Sequence, residues 1–254
     1  MVPKYSVLTY NVGGYEIVHE IQEKSPNAEY IYVTDDPNIK SETWQVVCVD
    51  NPHPEDPFDL CFKVRYNPFN YVTSDIVLKI DGSIGINKNL DPIIETFEAG
   101  QYDCGLRIHP LRNTMFQEYQ AWLAQRQYPL EQANRCLAFM DRMEGYDIKD
   151  YKGLFEYNIA IQRKNRANLL WNEMTWALVK YLAPEGKQVD RLDQTLGSFV
   201  ANKYFNFMKV MALPDHLVGS YMTWYGHGSN KPLGQPPYLI PPYVFNKPTV
   251  PVTL

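Results

Sequence analysis

The stretch VLKIDGSIGINKNLDP, Val77 to Pro92, decides how the chain reads. An apolar run stops at Asp81-Gly82-Ser83, and a second apolar run follows. A carboxylate, a glycine and a hydroxyl add nothing to a core, so the triplet is either a turn after a strand or one wall of a site. Asp and Gly are frequent in turns. A strand that delivers a carboxylate at its end, followed by a glycine and a second oxygen, is also a way to hold a divalent cation against phosphate oxygens.

Upstream, YSVLTY (5–10), EYIYVT (29–34) and WQVVCV (44–49) are short β-branched or aromatic runs, as are IVLKI (76–80) and DCGLRIH (103–109) downstream. Several are apolar on both faces, the pattern of strands covered by helices on each side. IVHEIQEK (17–24), Phe58–Tyr66 and PIIETFEA (92–99) read as helices between them. This alternation predicts an α/β architecture with a largely parallel sheet. Ligands of such sheets bind beyond the carboxyl ends of the strands, which places Asn11, Asp35 and Asp81 on one rim.

From 114 to about 205 the spacing turns helical, in MFQEYQAWLAQRQ, EQANRCLAFMDRMEG and NLLWNEMTWALVKYLA. Ala133, Cys136, Leu137, Met140 and Met143 form one apolar stripe; Leu170, Met174, Ala177, Leu178 and Tyr181 form another. Both are read as core. LFEYNIAIQ (154–162) is strand-like. Seven prolines follow Gly226, so that tail is expected as an extended arm on the surface. No repeat or linker stands out, and one domain is expected.

The chain has 254 residues, a net charge of −5 and no Lys/Arg block, which argues against nucleic acid as a partner. Cys48, Cys61, Cys104 and Cys136 lack metal-site spacing and read as free thiols of a reducing compartment. A strand begins almost at the first residue and no long apolar run exists, so a soluble, cytoplasmic protein is expected, with no transmembrane segment.

Other short pieces carry chemistry. TYNVGGYE offers Gly13 and Gly14 for close backbone approach, with Tyr10 or Tyr15 to stack on a base; it is not a nicotinamide fingerprint. Asp35-Asp36 either accepts from a ribose or base or makes a plain turn. LRIHPLRNTMFQEY gathers His109, Arg112 and Glu118. In RLDQ, Asp193 either serves a site or caps a helix. YGHGSNK sets His227 between glycines, with Lys231 behind it; imidazole suits a metal and lysine a phosphate.

In this order the pieces resemble a glycosyltransferase-like family, first known as a domain of unknown function and later from plant mucilage-type and bacterial capsule-type proteins. More broadly they resemble the GT-A glycosyltransferase fold. The resemblance runs from Tyr5 to Tyr204, with VLKIDGSIGI and LRIHPLRN its most specific segments. It implies a GT-A-like Rossmann-type mixed sheet flanked by helices, with a nucleotide-sugar-binding half (1–110), an acceptor-side half (111–225) and a tail (226–254). It further implies transfer of a sugar from a nucleotide-sugar donor to a hydroxyl of a glycan or polysaccharide, in surface polysaccharide synthesis. Donor contacts would come from Tyr10, Asn11, Gly13, Asp35, Lys63 or Arg65, Asp81, Gly82, Ser83, His109, Arg112 and Lys231. A Mn²⁺ or Mg²⁺ ion would sit on Asp81, Ser83 and His227, although Ser83 stands where the family motif has a second acid. Asp193 is the expected general base for an inverting reaction, with Glu156 second; stereochemistry stays open. The alternative is a non-catalytic nucleotide- or sugar-binding protein on the same fold. A nucleotidyltransferase would need a basic residue in the glycine loop, and TYNVGGYE has none.

Overall fold

The computed structural model describes residues 3–109, 111–115, 117–118, 121, 130–143, 153–182 and 192–230. Its strands are β1 (Tyr5–Asn11), β2 (Ala28–Thr34), β3 (Gln45–Cys48), β4 (Ile76–Ile80), β5 (Ile84–Ile86), β6 (Cys104–Ile108), β7 (Phe155–Arg163), β8 (Val210–Ala212) and β9 (Met222–Trp224). The α-helices are α1 (Pro57–Tyr66), α2 (Asp91–Ala99), α3 (Leu130–Arg142), α4 (Arg166–Leu182), α5 (Leu192–Tyr204) and the single turn α6 (Asp215–Val218).

Seven strands form one mixed sheet in the order β3-β2-β1-β4-β7-β6-β8, and β5 pairs with β9 in a separate ribbon. The run β3-β2-β1-β4 is parallel, β7 is antiparallel to both its neighbours, and β6 and β8 are parallel to each other. The fold observed is of the expected α/β class, a mixed sheet flanked by helices. The sheet crosses the boundary near residue 110, because β7 pairs with both β4 and β6.

Alternate residues of each strand feed two cores. Tyr5, Val7, Leu78 and Ile80 pack with Ile93, Ile94 and Phe97 of α2, while Leu8, Tyr10 and Val77 pack with Leu60 and Val64 of α1. On the β6–β7 side, Leu106 and Ala160 pack under Trp171 of α4 and Phe199 of α5. With helices on both faces, every residue of β1 and β4 is buried, which explains why both read as apolar on either face.

Two expectations need correction. IVHEIQEK is not helical. Its backbone is taken up by distant partners: Trp44 Nε1 donates to the His19 carbonyl, Ile21 N to Thr43 Oγ1, and Gln22 N to the Ile86 carbonyl. The stripe expected on α4 is also rotated, since Leu170 is 38% and Tyr181 70% exposed. The inward face carries Asn168, Trp171, Asn172, Thr175 and Val179. Its polar members are satisfied locally, Asn172 pairing with Gln162 and Asn168 donating to the Asp103 and Arg163 carbonyls. A polar residue with partners can sit in a core, and hydrophobic spacing alone does not register it.

The four cysteines are free, with Cys48 exposed and Cys104 and Cys136 buried. Among the described residues no helix is long and apolar enough to cross a membrane. The Pro-rich segment from residue 231 and most of the helix expected at 115–127 lie outside the described residues.

Candidate functional site

The sheet reverses its winding at β1, with β2 and β3 on one side and β4 on the other. In open parallel sheets such a switch point leaves a crevice beyond the carboxyl ends of the two diverging strands. Here those ends carry Tyr10 and Asn11 on β1 and Asp81 just past β4. The Tyr10 hydroxyl donates to Asp81 Oδ1 across the gap at 3.2 Å.

The last turn of α1 adds Arg65, and the first turn of α5 adds Asp193. The Arg65 guanidinium donates through Nε to the Tyr10 hydroxyl (2.5 Å), through Nη2 to Asp81 Oδ1 (2.8 Å) and through Nη1 to Asp193 Oδ2. It lies 5.6 Å from the ring centres of both Tyr10 and Phe62. Burial works against the charge on Arg65, and the neighbouring Tyr10, Asp81 and Asp193 outweigh it. Beneath this group Lys79, buried next to the last residue of β4, donates to the Arg65 carbonyl at 3.0 Å. Burial and then Arg65 push Lys79 down to about 7, against the pull of Asp81. Two carboxylates thus face one guanidinium and one lysine, a neutral group when Lys79 is protonated. Lys63 stands two residues from Arg65, on the opposite side of α1, and is exposed.

The glycine loop closes on itself. Asn11 donates from Nδ2 to the Glu16 carbonyl (2.6 Å) and accepts the Glu16 N–H on Oδ1 (2.9 Å), so its amide holds the loop. Gly13 and Gly14 take φ of +70° and +66°, which favour glycine. Asp35 accepts from Gly13 N and Asn51 Nδ2, both at 2.9 Å, and braces the loop from β2. Tyr10 is buried, whereas Tyr15 is 60% exposed and is the ring at the mouth.

Gly82 is a packing requirement: a Cβ there would lie 2.9 Å from the Tyr10 carbonyl and 3.1 Å from Glu16 Cγ. Ser83 is buried and its carbonyl accepts the Tyr225 N–H at 2.8 Å. The triplet that opens the sequence question is therefore both the turn into β5 and a wall of the crevice. Glu16 joins this wall to the chain after β9, accepting the Gly228 N–H (3.0 Å) and lying 2.5 Å from His227 Nδ1. The Tyr15 and His227 rings are 5.0 Å apart.

Asp81, Ser83 and His227 do not make a metal site as they stand. Asp81 Oδ1 already accepts from Arg65 and Tyr10, and His227 Nδ1 faces Glu16. Among the described residues no group of three or more His, Cys, Asp or Glu side chains is placed to hold an ion. Lys231 and Arg191 lie outside the described residues.

A second polar group lies where β6 ends and β7 begins. The register slips after Leu106, so that Arg107 stands opposite Glu156. Arg107 is fully buried; it ion-pairs with Glu156 Oε2 through Nη1 and donates from Nε to Asp215 Oδ1 at 2.7 Å. Burial pushes Glu156 up to about 7 despite Arg107. His109 Nδ1 accepts the Leu111 and Arg112 N–H groups, each at 3.1 Å, and Nε2 lies 3.6 Å from Glu156, 3.7 Å from Glu118 and 2.7 Å from Arg112 Nη2. Burial, then Arg112 and Arg107, pushes this imidazole down to about 3. Arg112 ion-pairs with Glu118, and Gln194 donates to Glu118 Oε1 at 3.2 Å. The first turn of α5 therefore ties both groups together, Asp193 facing Arg65 and Gln194 facing Glu118. His109, Arg112 and Glu156 belong to this buried network, and Asn158 joins it to the crevice by donating to Glu156 Oε2 at 3.2 Å and accepting the Asp81 N–H at 2.9 Å.

Sequence reasoning missed Glu16, Lys79 and Arg107. Lys79 in IVLKI and Arg107 in CGLRI did leave a signal, since a charge inside an otherwise apolar strand is costly unless paired. Glu16 left none, because its partner His227 is far along the chain.

No family model matches the chain, and no curated protein sequence does. In structure it is similar to mouse xyloside xylosyltransferase 1 in its apo form, at 9% identity and a TM-score of 0.42, over 82% of this chain and 84% of that one.

Proposed function

We propose that the protein is a glycosyltransferase that binds a nucleotide-sugar donor in the crevice between β1 and β4 and passes the sugar to a hydroxyl of a glycan or polysaccharide, in surface polysaccharide synthesis. The observation that carries the reading is the crevice itself. A switch point of the sheet is bordered by a glycine loop on one side and by Asp81, Arg65 and Asp193 on the other. Gly13 and Gly14 admit the donor backbone to backbone, the exposed Tyr15 ring offers a stacking face, and Arg65 stands nearest the charge that develops on the leaving diphosphate. In an inverting transfer the acceptor oxygen bonds to the anomeric carbon, the bond from that carbon to the diphosphate breaks, and the proton passes to Asp193. Glu156 is placed poorly for that step, being buried against Arg107.

One observation favours a non-catalytic binding protein: Asp193 is only 4% exposed and is committed to Arg65. A thermal-shift panel of UDP, GDP, dTDP and CMP, followed by assay of donor turnover with the nucleotide that binds, tests both readings. A ligand selective for the native state raises its apparent stability. Binding with turnover supports the transferase, binding without turnover supports the second reading, and no response across the panel overturns both.

A further inference from the structure

The carboxylates of the crevice already have a cation. Asp81 Oδ1 accepts from Arg65 Nη2 at 2.8 Å and from the Tyr10 hydroxyl at 3.2 Å, while Asp193 Oδ2 takes the other Nη of the same guanidinium. Arg65 is well placed to stay there. Its side chain is 16% exposed, it lies against the Tyr10 and Phe62 rings, and its carbonyl is held from below by Lys79. Withdrawing it would leave the buried Asp193 and the partly exposed Asp81 without their guanidinium, which is strongly unfavourable.

A divalent ion arriving at Asp81 would find Oδ1 already taken by Arg65 and Tyr10, and would sit beside the positive charge of that guanidinium. It would find little help, because Mg²⁺ and Mn²⁺ favour carboxylate ligands and the next candidate after Asp81 is the neutral Ser83. His227 presents its Nδ1 to Glu16 rather than to Asp81.

We infer that Arg65 is the resident cation of the crevice, and that the site receives an anionic diphosphate without a divalent metal. Asp81 then acts as a positioning residue for Arg65, and its contact helps to fix the plane and reach of the guanidinium. The identity of the anion rests on the glycosyltransferase reading; the identity of the cation does not.

The test is a titration of Mn²⁺ into the full chain, followed by the electron paramagnetic resonance of free aqueous Mn²⁺. Wild-type protein is expected to show no site that depends on Asp81. Arg65→Met exposes the paired carboxylates and is expected to gain a site binding Mn²⁺ roughly tenfold more tightly or better, and Arg65→Met with Asp81→Asn is expected to lose it. A one-to-one Mn²⁺ site in wild type that Asp81→Asn removes overturns the inference. So does a folded Arg65→Met protein that gains nothing. Should Arg65→Met not fold, the wild-type and Asp81→Asn titrations decide alone. In a second arm, stabilisation by a nucleoside diphosphate is expected to be equal in EDTA and in Mn²⁺, and stabilisation only with Mn²⁺ overturns the inference. If no nucleotide stabilises the protein, the glycosyltransferase reading fails, and the Mn²⁺ titration still decides the cation.

Discussion

Asp81 and Asp193, one at the end of β4 and the other in the first turn of α5, bind the two Nη atoms of a single guanidinium, Arg65. That contact ties the first half of the chain to the second at the point where the sheet reverses. It makes Arg65 a structural keystone as well as a functional candidate.

Arg65→Ala is therefore expected to destabilise the protein by about 3 kcal/mol or more, since it leaves buried charge without a partner. Urea unfolding of Arg65→Ala, Asp193→Asn and the double variant measures it. The double variant is expected to be less destabilised than the sum of the singles, because the charge left behind has gone. Strict additivity would disprove the coupling.

Lys79 sets a pH dependence. Burial lowers its folded value from 10.5 to about 7, so between about 7 and 10.5 the unfolded chain binds more protons than the folded one. Stability from this group accordingly rises with pH across that window. Lys79→Met is expected to flatten the rise in midpoint temperature between pH 7 and 10. An unchanged slope would assign it to other groups.

Glu156 and His109 work against each other at lower pH. Glu156 is raised from 4.5 to about 7, so its contribution is full below 4.5 and is lost as pH rises to about 7. His109 is lowered from 6.5 to about 3, so its contribution grows from about 3 to 6.5. Glu156→Gln is expected to unmask the His109 trend, giving stability that climbs with pH from 4.5 to 6.5 more steeply than in wild type. Thermal melts at constant ionic strength give the comparison.

Gly82→Ala is expected to cost about 1–3 kcal/mol, because the added methyl meets the Tyr10 carbonyl, which is backbone and cannot swing aside. Chemical unfolding reads the loss. Gly14→Ala provides a contrast: its Cβ meets nothing within 4 Å, and only its positive φ opposes the change.

Glu16→Gln is expected to loosen the chain after β9 by weakening its hold on His227 and Gly228. Hydrogen exchange is expected to quicken at residues 226–230 and to stay unchanged in β1 and β4. Equal protection in both proteins would show that Glu16 does not hold this segment.

The sequence by itself determined the sheet strands that are buried on both faces. β1, β2, β4 and β7 lie within one or two residues of their expected bounds, since a strand covered by helices on each side is mostly apolar on both faces. It also singled out Asp81 at the end of an apolar run and Asp193 at a helix start, while Arg65 entered only through the family resemblance, as one of a pair with Lys63. Tertiary structure alone decided which of them meet. Lys63 and Arg65 are equivalent in sequence, and the helix places one in water and the other between two carboxylates. The three-residue strands β5, β8 and β9 depend on partners distant in the chain, and too few residues repeat to reveal a period. The buried face of α4 escaped for a related reason: its Asn and Thr side chains find partners only after folding, and those partners make burial tolerable.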